Sequence, residues 1–192
     1  MTPWTSSADV TKIETDGTIP VVSTGSYEID NKMGGGVPLG SLTLIEGASG
    51  AGKSVLTQQM IWGSLHDGRK LSLFTSENSV KSLITQMQSL SLDIMHYVLL
   101  GKFRVYPIET GHLDKQAPVA LLKALRNESD RDMIFIDSLT SALGRSSLSD
   151  ILRYFEGCKR LCADGRTILV VQMPGLYRVH SKPAQKEEVH DI

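Results

Sequence analysis

Short runs of apolar, mostly β-branched or aromatic residues recur along the chain at 41–46, 70–75, 103–106, 133–136 and 167–172, each bounded by turn-forming residues. Each run predicts a short buried strand. Between them the apolar spacing changes from continuous to helical. A helix begins at Val55, and a second carries Val80, Leu83, Ile84, Met87 and Leu90 on one face, with Asn78 or Ser79 as its N-cap. A third starts near Pro118 with Leu121, Leu122 and Leu125 together, and a fourth opens on Ser147 with Asp150 in capping-box style. That last helix aligns Leu148, Ile151, Leu152 and Phe155 with Cys158 and Cys162. Asp67-Gly68 and Asp164-Gly165 supply helix stops.

Strands alternating with amphipathic helices predict an α/β fold: a doubly wound, mostly parallel sheet with helices on both faces. Ligands of such sheets bind at the carboxyl ends of the strands. The rule brings Gly47, Glu77, Asp137 and Gln172 to one edge from distant parts of the chain. Residues 1–23 read as a loose arm with a short edge strand near 19–22, and 24–173 as a single domain. Beyond Pro174 the apolar pattern stops, so 174–192 read as a polar, mobile tail.

The turn between the first strand and first helix carries the candidate chemistry. Gly47-Ala48-Ser49-Gly50-Ala51-Gly52-Lys53-Ser54 fits the phosphate-loop pattern G-x-x-x-x-G-K-[ST], and its strand–loop–helix context is the one the mechanism requires. Glycines let the backbone N–H groups turn inward onto phosphate oxygens, and the helix N-terminus adds its positive dipole end. Lys53 is placed to reach the β- and γ-phosphates, and the Ser54 hydroxyl to ligate Mg²⁺, so the expected ligands are ATP and Mg²⁺.

Three further residues complete the expected site. Asp137 closes the strand 133–136, which the pattern puts on a neighbouring strand of the same sheet; there it can hold Mg²⁺ through the ion's water shell, the alternative being a turn aspartate. Glu77 is the carboxylate the strand geometry offers for positioning or deprotonating a water, the alternative being a surface acid near a helix N-terminus. Gln172 can sense the γ-phosphate from the last strand, although an ordinary polar strand end reads the same. Arg145, in the loop after the Asp137 strand, could reach a neighbouring subunit's nucleotide or a nucleic acid.

Composition narrows the classes. A formal net charge of -1 with 41% hydrophobic and 21% charged residues excludes a generally basic nucleic-acid binder and a disordered chain. The two cysteines read as small core residues in a reducing compartment. No apolar run approaches the length of a membrane span and no charged-then-apolar leader opens the chain, so a cytoplasmic protein is expected.

The run from Thr24 to Ser54, with Thr24-Gly25, Ile29-Asp30, Gly34-Gly35-Gly36-Val37-Pro38-Leu39-Gly40-Ser41 and then the phosphate loop, resembles the RecA/KaiC group of ATPases. Within that group it is most similar to the accessory ATP-binding subunits of the archaellum, the archaeal flagellum. The resemblance implies a cytoplasmic ATP-binding subunit that forms a homo-oligomeric ring, a hexamer, and is regulated by its nucleotide. It also implies association with the archaellum motor ATPase and membrane platform proteins, touching the membrane only through them. Two features depart from the group. Clock-protein relatives carry two adjacent acids where this chain has Glu77-Asn78, which implies slow hydrolysis, and relatives continue with further strands where this chain turns polar at Pro174. The competing reading is a clock-like or recombinase-like ATPase acting on protein or DNA. Arg145 is the one basic residue between Asp137 and Ser149, too little charge for a DNA-binding loop, which argues against a nucleic-acid partner.

Overall fold

The computed structural model describes residues 20–109, 117–143 and 146–172. Five strands, β3 (Leu42–Glu46), β4 (Leu71–Thr75), β5 (Phe103–Pro107), β6 (Met133–Asp137) and β7 (Thr167–Gln172), form one sheet in the order β3-β7-β6-β4-β5. Every pairing in it is parallel. Ahead of it β1 (Val21–Val22) and β2 (Val37–Pro38) pair antiparallel around helix α1 (Tyr27–Lys32). The remaining helices are α2 (Lys53–His66), α3 (Val80–Ser89), α4 (Met95–Leu99), α5 (Ala117–Asn127), α6 (Leu139–Leu143) and α7 (Leu148–Ala163).

Side chains alternate across a strand, so each strand feeds two cores. Ile134, Ile136, Ile168 and Val170 point to one face, where Leu121 and Leu125 of α5, Leu139 of α6 and Tyr154, Cys158 and Leu161 of α7 cover them. Met133, Phe135 and Leu169 point to the other, against Met60, Ile61 and Leu65 of α2 and Leu83 and Met87 of α3. With helices on both sides, β4 and β6 are buried along their whole length, as expected for continuous apolar runs in a parallel sheet. The expected α/β architecture is present, and so are the N-caps at Ser79 and Ser147, whose hydroxyls accept from the N–H groups of Ser82 and Asp150.

Several local expectations are corrected. The strand at 42–46 is not buried: β3 pairs only with β7 among the described residues and leaves Leu44 43% exposed, because an apolar run does not reveal whether both its edges are paired. Asp137 is not on the neighbouring strand of the phosphate-loop strand, since β7 lies between β3 and β6. On α7, Leu148 and Leu152 lie outside the buried stripe, which runs instead through Ile151, Tyr154, Phe155, Cys158, Leu161 and Cys162. Helices α1, α4 and α6 span only 6, 5 and 5 residues, too few for a helical period to show in the sequence. The arm before residue 20, Arg145 and the tail after Gln172 lie outside the described residues.

At the opposite end of the sheet from the phosphate loop, Glu128 is buried. It accepts hydrogen bonds from Ser72, Tyr106 and Arg104 and lies 3.6 Å from Arg131. Among the described residues no helix is long and apolar enough to cross a membrane.

Candidate functional site

Because the sheet is parallel, the last residues of β3, β4, β6 and β7 share one edge. Thr75 stands in register with Asp137, Asp137 with Val171, and Glu46 with Gln172. The phosphate loop leaves that edge directly after Glu46 and enters α2 at Lys53. Gly50 and Gly52 have φ of 77° and 84°, a left-handed conformation that glycine adopts without a Cβ penalty. A Cβ on Gly47 would stand 3.3 Å from that of Ala51, a tight contact that the loop could meet only by giving a few tenths of an ångström. No side chain caps α2 at Gly52, and its first-turn N–H groups, which have no intrahelical acceptor, remain available to an anion. The Lys53 ammonium donates to the carbonyls of Gly47 and Ala48, both at 2.9 Å, which holds its charge inside the loop.

Behind the loop, the Ser54 hydroxyl lies beside the Asp137 carboxylate, and this proximity brings the start of α2 to the end of β6 across the intervening β7. Asp137 is 6% exposed, and its Oδ1 is buried without a hydrogen-bond partner. Burial pushes the Asp137 carboxyl above its ordinary value; the Ser54 hydroxyl pulls it back, the Glu77 charge pushes it further up and Lys53 pulls it down. A buried carboxylate oxygen with no partner, beside a serine hydroxyl, is a hard-oxygen donor set of the kind a divalent cation such as Mg²⁺ takes. The peptide bond from Asp137 to Ser138 is cis.

Glu77 is exposed and opens onto a cleft of about 330 Å³ that it lines with Ser49, Lys53, Ser54, Ser138 and Thr140. Its backbone is set by Thr75, whose hydroxyl accepts from the N–H groups of Glu77 and Asn78, both at 3.2 Å. The Asn78 amide oxygen faces along α3, where it accepts from Ser82 at 3.3 Å. The structure thus brings Lys53, Ser54, Asp137 and Glu77 together. Gln172 ends β7 at the same edge, but its side chain lies outside the described part. Sequence reasoning missed Ser138 and Thr140; the signal for them was a pair of hydroxyl residues directly after a strand-ending acid.

The chain resembles known proteins along most of its length. A family model described as "ATPase: KaiC" matches residues 22–175. An archaeal flagellar ATP-binding protein, FlaH of Sulfolobus acidocaldarius, is 29% identical over 162 residues, covering 82% of this chain and 71% of that protein. FlaH of Methanocaldococcus jannaschii is 28% identical, over 77% of this chain and 65% of its own, so the chain spans about two thirds of these relatives. The circadian clock protein KaiC3 of Synechocystis is 30% identical over 70% of this chain and 26% of its own. Among solved structures, the flagellar accessory protein FlaH from Methanocaldococcus jannaschii superimposes with a TM-score of 0.70 at 24% identity, covering 83% of this chain and 72% of that one, which shows a common fold. With its phosphate-loop architecture and a family match running from β1 to the end of β7 and beyond, the chain belongs to the KaiC ATPase family.

Proposed function

We propose that the chain binds ATP with Mg²⁺ at the phosphate loop, cleaves it slowly, and serves as a nucleotide-regulated subunit of the archaeal flagellar motor. One observation carries the nucleotide reading: the buried, unpartnered Oδ1 of Asp137 sits beside Ser54, next to a loop that holds an ammonium and open helix N–H groups. Residues 47–52 and the α2 N-terminus cradle the phosphates, and Lys53 exchanges its carbonyl partners for phosphate oxygens. Ser54 and Asp137 would hold Mg²⁺, Asp137 through the ion's water shell, and the bound ion supplies neutralisation of phosphate charge. Glu77 orients the attacking water and accepts its proton, while Gln172 reads the γ-phosphate. Asn78 stands where a second acid would be, and an amide cannot take a proton, so turnover is slow.

The motor reading is supported by the archaeal flagellar ATP-binding proteins among the relatives. On this reading the chain forms a hexameric ring in the cytoplasm and contacts the motor ATPase and the membrane platform, with nucleotide setting assembly. A ligand changes an equilibrium only through its differential affinity for the two states, and γ-phosphate contacts at a subunit boundary provide it. The test is binding to the purified motor ATPase together with mass by light scattering, each with ATP, with ADP and without nucleotide. ATP is expected to give the larger particle and the tighter complex. Equal mass and equal affinity in all three conditions overturn the switch.

A further inference from the structure

The two carboxylates of the site come from different places, Asp137 from the end of β6 and Glu77 from the turn after β4, and they can act on one nucleotide only if their separation is held. The contact across that gap is made by Ser76, which sits between Thr75 and Glu77 at the end of β4. Its N–H donates to the Asp137 carbonyl at 2.9 Å, extending the β4–β6 ladder one residue past the end of β4. Its hydroxyl donates to the Ser138 carbonyl and accepts from the Ser138 N–H, both at 3.3 Å. Ser76 therefore grips the backbone on either side of the junction that follows Asp137, while the next residue along its own chain is Glu77. Thr75, 1% exposed, completes the arrangement by fixing the Glu77 and Asn78 N–H groups from the other side.

We infer that Ser76 is a positioning residue for nucleotide cleavage: its hydroxyl ties the Glu77 turn to the Asp137–Ser138 backbone and so sets the distance between the water-activating acid and the metal-holding acid. This rests on the nucleotide-cleaving reading above. The hydrogen bonds of Ser76 go to Asp137 and Ser138 and those of Lys53 to Gly47 and Ala48, and Ser76 does not line the cleft, so its loss is expected to change cleavage more than ground-state ATP binding. Alanine can neither donate nor accept at this point, and the turn bearing Glu77 would then be joined to β6 by backbone alone. Misplacing a catalytic group by about 1 Å costs up to about 10²-fold in rate.

The experiment compares wild type, Ser76→Ala and Ser76→Thr by single-turnover cleavage of prebound ATP with Mg²⁺, and by calorimetric titration of ATP on the same proteins. Ser76→Ala is expected to slow cleavage by about tenfold to a hundredfold while the ATP Kd stays within about twofold, a change below about 0.4 kcal/mol. Ser76→Thr, which keeps the hydroxyl, is expected to restore most of the rate. Cleavage by Ser76→Ala at the wild-type rate overturns the inference, as does equal slowing by both variants. A loss of ATP affinity that matches the loss of rate assigns Ser76 a merely structural part and also overturns it. A wild-type protein that binds ATP and never cleaves it fails differently, since it removes the cleavage reading itself.

Discussion

Replacing Asp137 by Asn should make the empty protein more stable and the nucleotide-loaded protein less stable. The exchange keeps the volume and leaves an oxygen beside Ser54, but it removes a buried charge whose Oδ1 has no partner. Burying the charged carboxylate costs more than burying the neutral amide, and the Ser54 hydroxyl and the Lys53 charge offset part of that difference, so a gain of about 1 kcal/mol is expected, or roughly 2–4 °C in Tm for a chain of this size. Because burial raises the folded carboxyl above the ordinary 3.8, the folded state holds this proton after the unfolded state has released it. Between the two values stability therefore falls as pH rises, and above both the full penalty remains. Subtracting the wild-type from the Asp137→Asn melting curve cancels every other titration. The difference should be near zero in the acid limit, grow upward from about pH 4, and level off once the folded carboxyl is ionised. Saturating Mg²⁺ and ATP should invert the order. Ligand at about 100 times its Kd adds about 2.7 kcal/mol to wild type and much less to the variant. Differential scanning fluorimetry in EDTA from about pH 3 to pH 8, repeated with Mg²⁺ and ATP near neutral pH, reads all of this. A variant less stable than wild type in EDTA, or a difference that ignores pH, refutes the reasoning.

Glu77→Gln should reduce ATP cleavage by about 10²–10⁴-fold with ATP affinity unchanged, and Asn78→Glu should raise the single-turnover rate; quench-flow on prebound ATP decides both, and an unchanged rate in Glu77→Gln removes Glu77 as the base. Gly36→Ala should destabilise by about 2–3 kcal/mol, since its φ of 141° is strained for alanine and its Cβ would lie 2.2 Å from the Val22 carbonyl, a backbone atom that cannot swing aside; urea unfolding measures it. Burial pushes the Cys158 thiol up to about 12, and Cys158 and Cys162 are 0% and 6% exposed. Both should therefore resist a thiol reagent at pH 8 until the protein unfolds, and stoichiometric labelling of the native state would contradict the packing of α7.

What could be read from the sequence was whatever depends on neighbours in the chain. Gly47 to Ser54 carry their conformation and their chemistry in eight consecutive residues, and the runs ending at Thr75 and Asp137 announce strands because both faces of each are covered. What depends on pairing across the fold could not be read. The insertion of β7 between β3 and β6, the open side of β3 at Leu44 and the burial of Glu128 under Ser72 and Tyr106 join residues far apart in sequence. Leu148 and Leu152 misled because their spacing matches the buried stripe of α7 while their direction falls just outside it. Ser76 carried no signal at all, since one serine in a strand-to-helix turn is ordinary until the strand beside it is known.

The central claim is that the phosphate loop holds ATP, and titration calorimetry of ATP into wild type and Lys53→Ala, with Mg²⁺ and with EDTA, tests it most directly. The account predicts saturable binding of one ATP per chain by wild type, strengthened by Mg²⁺, and its loss in Lys53→Ala with an unchanged circular dichroism spectrum, because the ammonium donates to the Gly47 and Ala48 carbonyls of the loop and adds little to the core. Retained wild-type affinity in a folded Lys53→Ala protein would contradict it.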